Sequence, residues 1–412
     1  MTRFGAVSVE DELSLGLAGT VARRQLGDGA LLELAHQSNP DRLLAVLGRQ
    51  RLVNLGIARL GELGAKELVV QVADRSEPRL QAARWKAVEQ EMLTHSLAGT
   101  LEQHHIRAVP LKGAALARNL FDDPGLRESD DVDLLVSAGQ LERAVELVRD
   151  QFGYDAPGDA LTAGGRPLLH YRLSHPDGWP MVELHWRVHW YEARSGPAML
   201  NRAVVEQGLA RLAAADELAC LLLVYARDGF AGIRPLADLA AWWDRYADRL
   251  PAGGLGAFAR EFPELGPALS VASALADVLV GVPADRLGLP SCTASPRVRR
   301  AMRLANWQLA GEDEQIFADI ALVDLLLTPR ADAWPFIRRQ VLLPLDVAAG
   351  RLLEAPSTRS RLALAAALHV PRILARFVLA MLGTAGRRRR SVLSPPLSRV
   401  PSARNEARTS HS

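Results

Sequence analysis

The sequence predicts an α+β protein: a core with a small mixed sheet between mainly α-helical N- and C-terminal regions. Three observations predict it. Leucines recur at helical spacing through residues 1–103. Strict two-residue alternation then appears at Asp131–Val136 and again at Pro180–Trp190. From Asn201 the pattern returns to helical runs separated by Pro and Gly. The expected organisation is a helical region over 1–103, the sheet-bearing core over 104–200, a helical domain over 201–355, and an amphipathic helix with a basic tail over 356–412.

In the first region Leu43, Leu44, Leu47 and the run from Leu52 to Leu60 mark helices. Asp74-Arg75-Ser76-Glu77-Pro78 reads as a turn before a long helix from about Leu80 to Gln103, because proline removes a backbone donor and crowds the preceding turn. Arg107–Leu111 reads as a short strand that Lys112-Gly113 turns into a helix over Ala114–Leu120. Asp122-Asp123-Pro124-Gly125 is a turn by composition, leading to the strand that opens at Asp131. Ser137, with Gln140 three residues later, predicts an N-cap for a helix whose apolar face is Leu141, Ala144, Val145, Val148 and Phe152, ended by Gly153-Tyr154.

Residues 157–166 read as a loop able to cover a site, and Leu168–Ser174 and Met181–Val188 as a hairpin turning at His175-Pro176-Asp177-Gly178. The C-terminal domain is expected to include helices at Glu217–Arg227, Leu236–Tyr246 and Ile316–Leu327. Arg361–Leu382 is amphipathic, and Arg387–Arg390 opens a Ser, Pro and Arg tail with little apolar content to pack. No internal repeat is evident.

At 412 residues and 44.8 kDa, with 49% hydrophobic residues, the chain can bury a sizeable core. The net charge of +2 conceals an asymmetry: from Gly383 onward seven Arg and one Glu give +6, which leaves about −4 on the remainder. A mildly acidic body lacks the basic stripe of a nucleic-acid groove, so nucleic-acid partners are not expected. Cys220 and Cys292 are too few and isolated for a disulfide framework or zinc knuckle, which suits a reducing cytoplasm. The N-terminus lacks the apolar run of a secretory signal. The best membrane-spanning candidate, Leu362–Leu382, is interrupted by His369, Pro371, Arg372 and Arg376; with the tail it could rest on an anionic membrane surface or pack on the body.

The chemistry concentrates at Ser129-Asp130-Asp131-Val132-Asp133-Leu134-Leu135-Val136. Alternation points Asp131 and Asp133 to one face while Val132, Leu134 and Val136 face a core. Carboxylates this close resist joint ionisation unless a cation lies between them, and Mg²⁺ takes oxygen ligands of this kind. Phosphoryl or nucleotidyl transfer is the first reading. In PMVELHWRVHW, Val182, Leu184, Trp186 and Val188 share one face and Glu183, His185, Arg187 and His189 the other. If the two strands are neighbours, Glu183 completes a three-carboxylate cluster beside His185 and Arg187. Lys112-Gly113, between a strand and a helix, suits a phosphate. Arg127 could meet a phosphate or brace Asp130, itself read as a turn residue. Adjacent His104 and His105 point apart and receive no role; Asp238 could reach toward the site or serve as a cap or salt-bridge partner.

The run LKGAALARNLFDDPGLRESDDVDLLV, followed by VELHW, resembles the uncharacterised nucleotidyltransferase family of bacteria, within the DNA polymerase β-like superfamily, over residues 30 to 350 or so. The resemblance implies a nucleotidyltransferase core that moves a nucleoside monophosphate from an NTP to a hydroxyl-type acceptor, using Mg²⁺ or Mn²⁺. Asp131, Asp133 and Glu183 would be the catalytic metal ligands, with Glu183 positioning a second ion or accepting the acceptor's proton; Lys112, Gly113 and Arg127 would bind nucleotide, and His185 and Arg187 would support the carboxylates. One departure stands out: where the superfamily places Gly-Ser, this chain reads Lys112-Gly113-Ala114, without a hydroxyl. That departure supports the alternative of a non-catalytic nucleotide-binding or interaction protein, serving for instance a surface-polysaccharide or peptide-maturation system.

Overall fold

The computed structural model describes residues 7–19, 26–155, 162–163, 166–167, 169–189, 194–206, 208–289 and 296–305, with positions 308, 323, 326–328, 371 and 375. Most of the anticipated Ile316–Leu327 helix, the amphipathic stretch and basic tail, Cys292 and much of the 157–166 loop lie outside the described residues.

The chain opens with four ten-residue helices, α1 (Val9–Ala18), α2 (Asp28–Gln37), α3 (Pro40–Arg49) and α4 (Val53–Glu62). Ser8 caps α1 through a reciprocal box with Asp11, and Asn39 caps α3 by accepting from the Arg42 N–H. The next helix, α5 (Lys66–Gln103), corrects the expected turn at 74–78: its 38 residues run straight through Pro78. Proline costs one intrahelical hydrogen bond, but α5 is clamped along its length. It packs on α4 and on the Pro124–Leu126 turn, and the Arg79–Glu128 and Arg84–Asp123 ion pairs fasten the segment just after the proline.

The core follows: β1 (Val109–Pro110), α6 (Ala114–Leu120), β2 (Asp131–Leu135) and α7 (Leu141–Phe152). Next come a short ladder, β3 (Thr162–Ala163) with β4 (Arg166–Pro167), and then β5 (His170–Leu173) and β6 (Met181–His185). Strand order is β1-β2-β6-β5, with β2 and β6 parallel and the outer strands antiparallel to their neighbours. This is the small mixed sheet expected, with shorter strands. The ladder of β6 stops at His185, short of the expected Val188, and Val188 packs in the larger core of the helical regions rather than with Val182, Leu184 and Trp186. Ser137 is not the N-cap of α7. That position belongs to Gln140, and the Ser137 hydroxyl donates to the Gln140 side chain at 2.9 Å.

One face of the sheet is apolar. Val132, Leu134, Val136, Val182, Leu184 and Trp186 pack with Leu93, Leu97 and Leu101 of α5 and with Leu141, Ala144, Val145 and Val148 of α7. Each such buried aliphatic side chain contributes about 1.5–3 kcal/mol, which fixes the register and sets the polar face on the side away from this core.

The C-terminal region contains α8 (Ser195–Arg202), the hairpin β7 (Val204–Glu206) with β8 (Leu209–Arg211), α9 (Ala214–Arg227), α10 (Arg234–Tyr246), α11 (Gly256–Glu261), α12 (Gly266–Val280) and α13 (Pro296–Leu304). Its core is continuous with that of the N-terminal helices, joining Leu13, Leu31, Leu47 and Leu60 to Leu222, Trp242, Trp243 and Leu269. Polar bridges tie the N-terminal helices to this region and to the turn before β2. Gln50 accepts from the Ile233 N–H at 2.8 Å, and Asn54 donates to the Gly125 carbonyl at 2.8 Å. Pro263–Val280 is long and apolar enough to cross a membrane, yet most of it is buried within this core. Cys220 is buried there too, and burial pushes its thiol up to about 12.

Candidate active site

The polar face of the sheet gathers three carboxylates. On β2, Asp131 and Asp133 point to the same side, and the parallel register sets Asp133 beside Glu183 of β6. Ligand oxygens of Asp131, Asp133 and Glu183 all lie within 4.8 Å of one another. Asp133 has no exposed side-chain surface, whereas Asp131 is 21% exposed, so the cluster opens to solvent at the Asp131 end.

Lys112 enters from the turn between β1 and α6. Its Nζ lies 2.9 Å from Asp131 Oδ2 and 3.0 Å from Asp133 Oδ2. Gly113, at φ +82°, lets this turn lie directly against β2, since a Cβ there would meet the Asp131 carbonyl oxygen at 2.9 Å. The Ser129 hydroxyl donates to Asp131 Oδ1 at 3.1 Å. Burial and Asp133 push the Asp131 carboxyl up, but Lys112 and Ser129 outweigh them and hold it below its ordinary value.

His185 binds the two strands together. Fully buried, its Nε2 lies 2.8 Å from Asp133 Oδ1 and 3.2 Å from Glu183 Oε2. Burial opposes the imidazolium, but the two carboxylates win and push its pKa up. Glu183 is driven well below the usual carboxylate range: desolvation is offset by His185, His170 and Lys112. Lys112 is likewise raised, because Asp133, Asp131 and Glu183 overcome its burial.

Arg127 lies in the loop before β2, but its head is turned to the helical lobe. Nε and Nη2 donate to Asp238 of α10 at 2.8 and 2.9 Å, and Nη1 lies 3.5 Å from the Gly113 carbonyl. Asp238 is therefore a salt-bridge partner. Asp130 is held by Arg51 and Lys86, not by Arg127. Arg187 follows the end of β6, buried, with its guanidinium 3.8 Å from the Trp186 ring centroid.

Three further residues belong to this neighbourhood. His170 stands opposite His185 across the β5–β6 ladder, the rings 4.6 Å apart, with Nε2 3.5 Å from Glu183 Oε1. Burial and His185 push its pKa down to about 3, so it is neutral near pH 7. Its parity on β5 was the available sequence signal. Arg227, at the end of α9, contributes positive potential at Lys112 and His170, and Arg234 of α10 donates to the Glu128 carbonyl at 3.3 Å. Both come from a lobe 40 residues or more beyond β6 in sequence, where no local pattern ties them to the carboxylates.

Hard carboxylate oxygens on two in-register strands, including the buried Asp133, are a donor set that fits a divalent cation. A family model described as an uncharacterised nucleotidyltransferase matches residues 36–277, more than half of the chain. The chain belongs to this family. The matched segment carries the Lys112 turn, both carboxylate strands and the helical lobe through most of α12. No curated protein and no solved structure matches the chain. The carboxylates are flanked by the positive charges of Lys112, Arg127, Arg227 and Arg234.

Proposed function

We propose that the protein is a divalent-cation-dependent nucleotidyltransferase that moves a nucleoside monophosphate from an NTP to a hydroxyl-type acceptor. The observation that carries this reading is the convergence of Asp131, Asp133 and Glu183 on one sheet face. In the reaction the acceptor oxygen bonds to the α-phosphorus as the bond to the β-phosphate oxygen breaks; pyrophosphate leaves and the acceptor's proton passes to solvent water. Mg²⁺ or Mn²⁺, when bound, draws charge from the phosphoryl oxygens and acidifies the acceptor hydroxyl.

The chain's own residues supply position and charge. Asp131, Asp133 and Glu183 would hold the cation. The lowered carboxyl of Glu183 makes it a better ligand than general base. His185 locks Asp133 and Glu183 in place, and the flexible stem of Lys112 can carry its charge to the phosphates. Arg127, committed to Asp238, acts by fixing the loop before β2 against the helical lobe.

A second reading, a non-catalytic nucleotide-responsive protein, draws support from Lys112-Gly113-Ala114, which offers no hydroxyl to phosphate. Calorimetric titration with ATP and the other NTPs, with and without Mg²⁺, separates the readings when followed by product analysis. Cation-dependent binding that Asp131→Asn/Asp133→Asn abolishes, with pyrophosphate released once an acceptor is supplied, supports the enzyme. Binding that survives the double substitution removes the metal site from the argument.

A further inference from the structure

We propose that the ammonium of Lys112 is the resident cation of the Asp131–Asp133 pair, and that it exchanges with the divalent ion, moving from the carboxylates to the nucleotide phosphates. This inference rests on the metal reading of the three carboxylates and adds an order of events to it.

The geometry is that of an occupied cation position. Nζ bridges one oxygen of each aspartate at 2.9 and 3.0 Å, and the Asp133 oxygen it meets is buried. Two carboxylates this close repel each other strongly in a desolvated place, so a positive charge between them holds the cluster together before any metal arrives. An ammonium is a compact point charge that can stand in for a metal ion, whereas a guanidinium is a planar fork that cannot fit between two oxygens in the same way. The choice of residue is telling in this chain. It has three lysines, Lys66, Lys86 and Lys112, and every other Lys or Arg is arginine.

The exchange is physically easy. Lys112 has a four-carbon stem, its side chain is 17% exposed, and it lies beside Asp131 at the open end of the cluster. A divalent ion brings twice the charge to the same oxygens. Once Lys112 is displaced its charge has no carboxylate partner, and a triphosphate beside the site provides one. Without phosphate Lys112 competes with the divalent ion; with phosphate it does not. Cation and nucleotide therefore bind with positive coupling, part of which runs through Lys112.

Two measurements on the full chain test this. The first is acetylation by an N-hydroxysuccinimide ester, read by mass spectrometry, with exposed Lys66 as internal reference. Lys112 should react slowly alone, several-fold faster with Mn²⁺, and slowly again when tripolyphosphate is added to Mn²⁺. The second is calorimetry with Mn²⁺ alone: Lys112→Met should bind it about tenfold or more tighter than wild type. That advantage should shrink once tripolyphosphate is present, and Lys86→Met, which removes a lysine from Asp130, should leave affinity unchanged. Mn²⁺ binding to wild type with unaltered Lys112 acetylation overturns the exchange while leaving the metal reading intact, as does Lys112→Met binding no tighter. No Mn²⁺ binding to either protein removes the metal reading and this inference with it. The acetylation arm needs no variant, so a misfolded Lys112→Met protein does not spare the proposal.

Discussion

His185 and Asp133 face each other across the parallel pair of strands, Nε2 to Oδ1 at 2.8 Å, and neither side chain has any exposed surface. Because the same Nε2 lies 3.2 Å from Glu183, a single imidazole sets the spacing of two of the three carboxylates. His185→Phe keeps the ring volume and leaves buried Asp133 with Lys112 as its remaining partner. Urea unfolding should show a loss of about 3 kcal/mol. Mn²⁺ affinity, measured by calorimetry on the folded fraction, should fall about 10–100-fold, as expected when a group that orients metal ligands is removed. Unchanged affinity would mean that the strands alone position the carboxylates.

The Arg127–Asp238 pair ties the loop before β2 to α10, and both side chains are nearly inaccessible. Arg127→Met strands a buried carboxylate and should cost about 3–5 kcal/mol. Arg127→Met/Asp238→Leu should recover most of that loss, because the desolvation cost of both charges disappears together. A double-mutant cycle by thermal unfolding reads this directly. If Arg127 acts by position alone, the stable double variant keeps its nucleotide affinity; a loss there would assign Arg127 to the phosphates.

How far these residues could be read from the sequence depends on the range of the interaction. Alternation sufficed for Asp131, Asp133, Glu183 and His185, because parity on a strand fixes the face, and a buried apolar face on both strands fixes the register. It did not suffice for Arg127, whose partner lies 111 positions away on a helix whose placement depends on the whole core. Pro78 misled for a related reason: its local preference to end a helix is smaller than the packing of α5 against α4 and the 124–126 turn. Lys112 was legible as a basic group beside the site, but its carboxylate partners emerge only from the pairing of β1 with β2. His170 shares parity with the cluster, which is its one local signal, but its strand is short and Arg172 on the same face is largely exposed, so that signal is weak.

Acid should weaken the fold through His189. Burial, aided by Arg227, pushes this imidazole down to about 3, whereas histidine in the unfolded chain titrates at its ordinary value of 6.5. The folded pKa is the lower one, so the unfolded state takes up the proton first. Stability is full above about pH 6.5 and falls on the way to pH 3, by up to about 1.4 kcal/mol per unit for this group. His170, also at about 3, acts in the same direction. His185 acts oppositely: its pKa is raised, so its contribution is present below 6.5 and is lost as pH rises through the folded value. Urea midpoints measured from pH 7 down to 5 should decline, and His189→Gln should flatten that decline.

Gly113 and Gly64 allow backbone cost to be separated from site geometry. Both have positive φ, +82° and +78°, but a Cβ on Gly64 would meet nothing within 4 Å, while one on Gly113 would press on the Asp131 carbonyl oxygen at 2.9 Å. Gly64→Ala should therefore cost only the left-handed conformation, about 1 kcal/mol. Gly113→Ala bears the same cost and must also move the Lys112 turn away from β2, because a backbone oxygen on a paired strand cannot give way as a flexible side chain can. Its loss should exceed that of Gly64→Ala by about 1–2 kcal/mol in thermal unfolding. Cation and nucleotide binding should weaken in Gly113→Ala and stay at the wild-type level in Gly64→Ala. Equal losses in the two variants, with binding preserved in both, would show that close approach of the turn to β2 is not what sets Lys112 between the two aspartates.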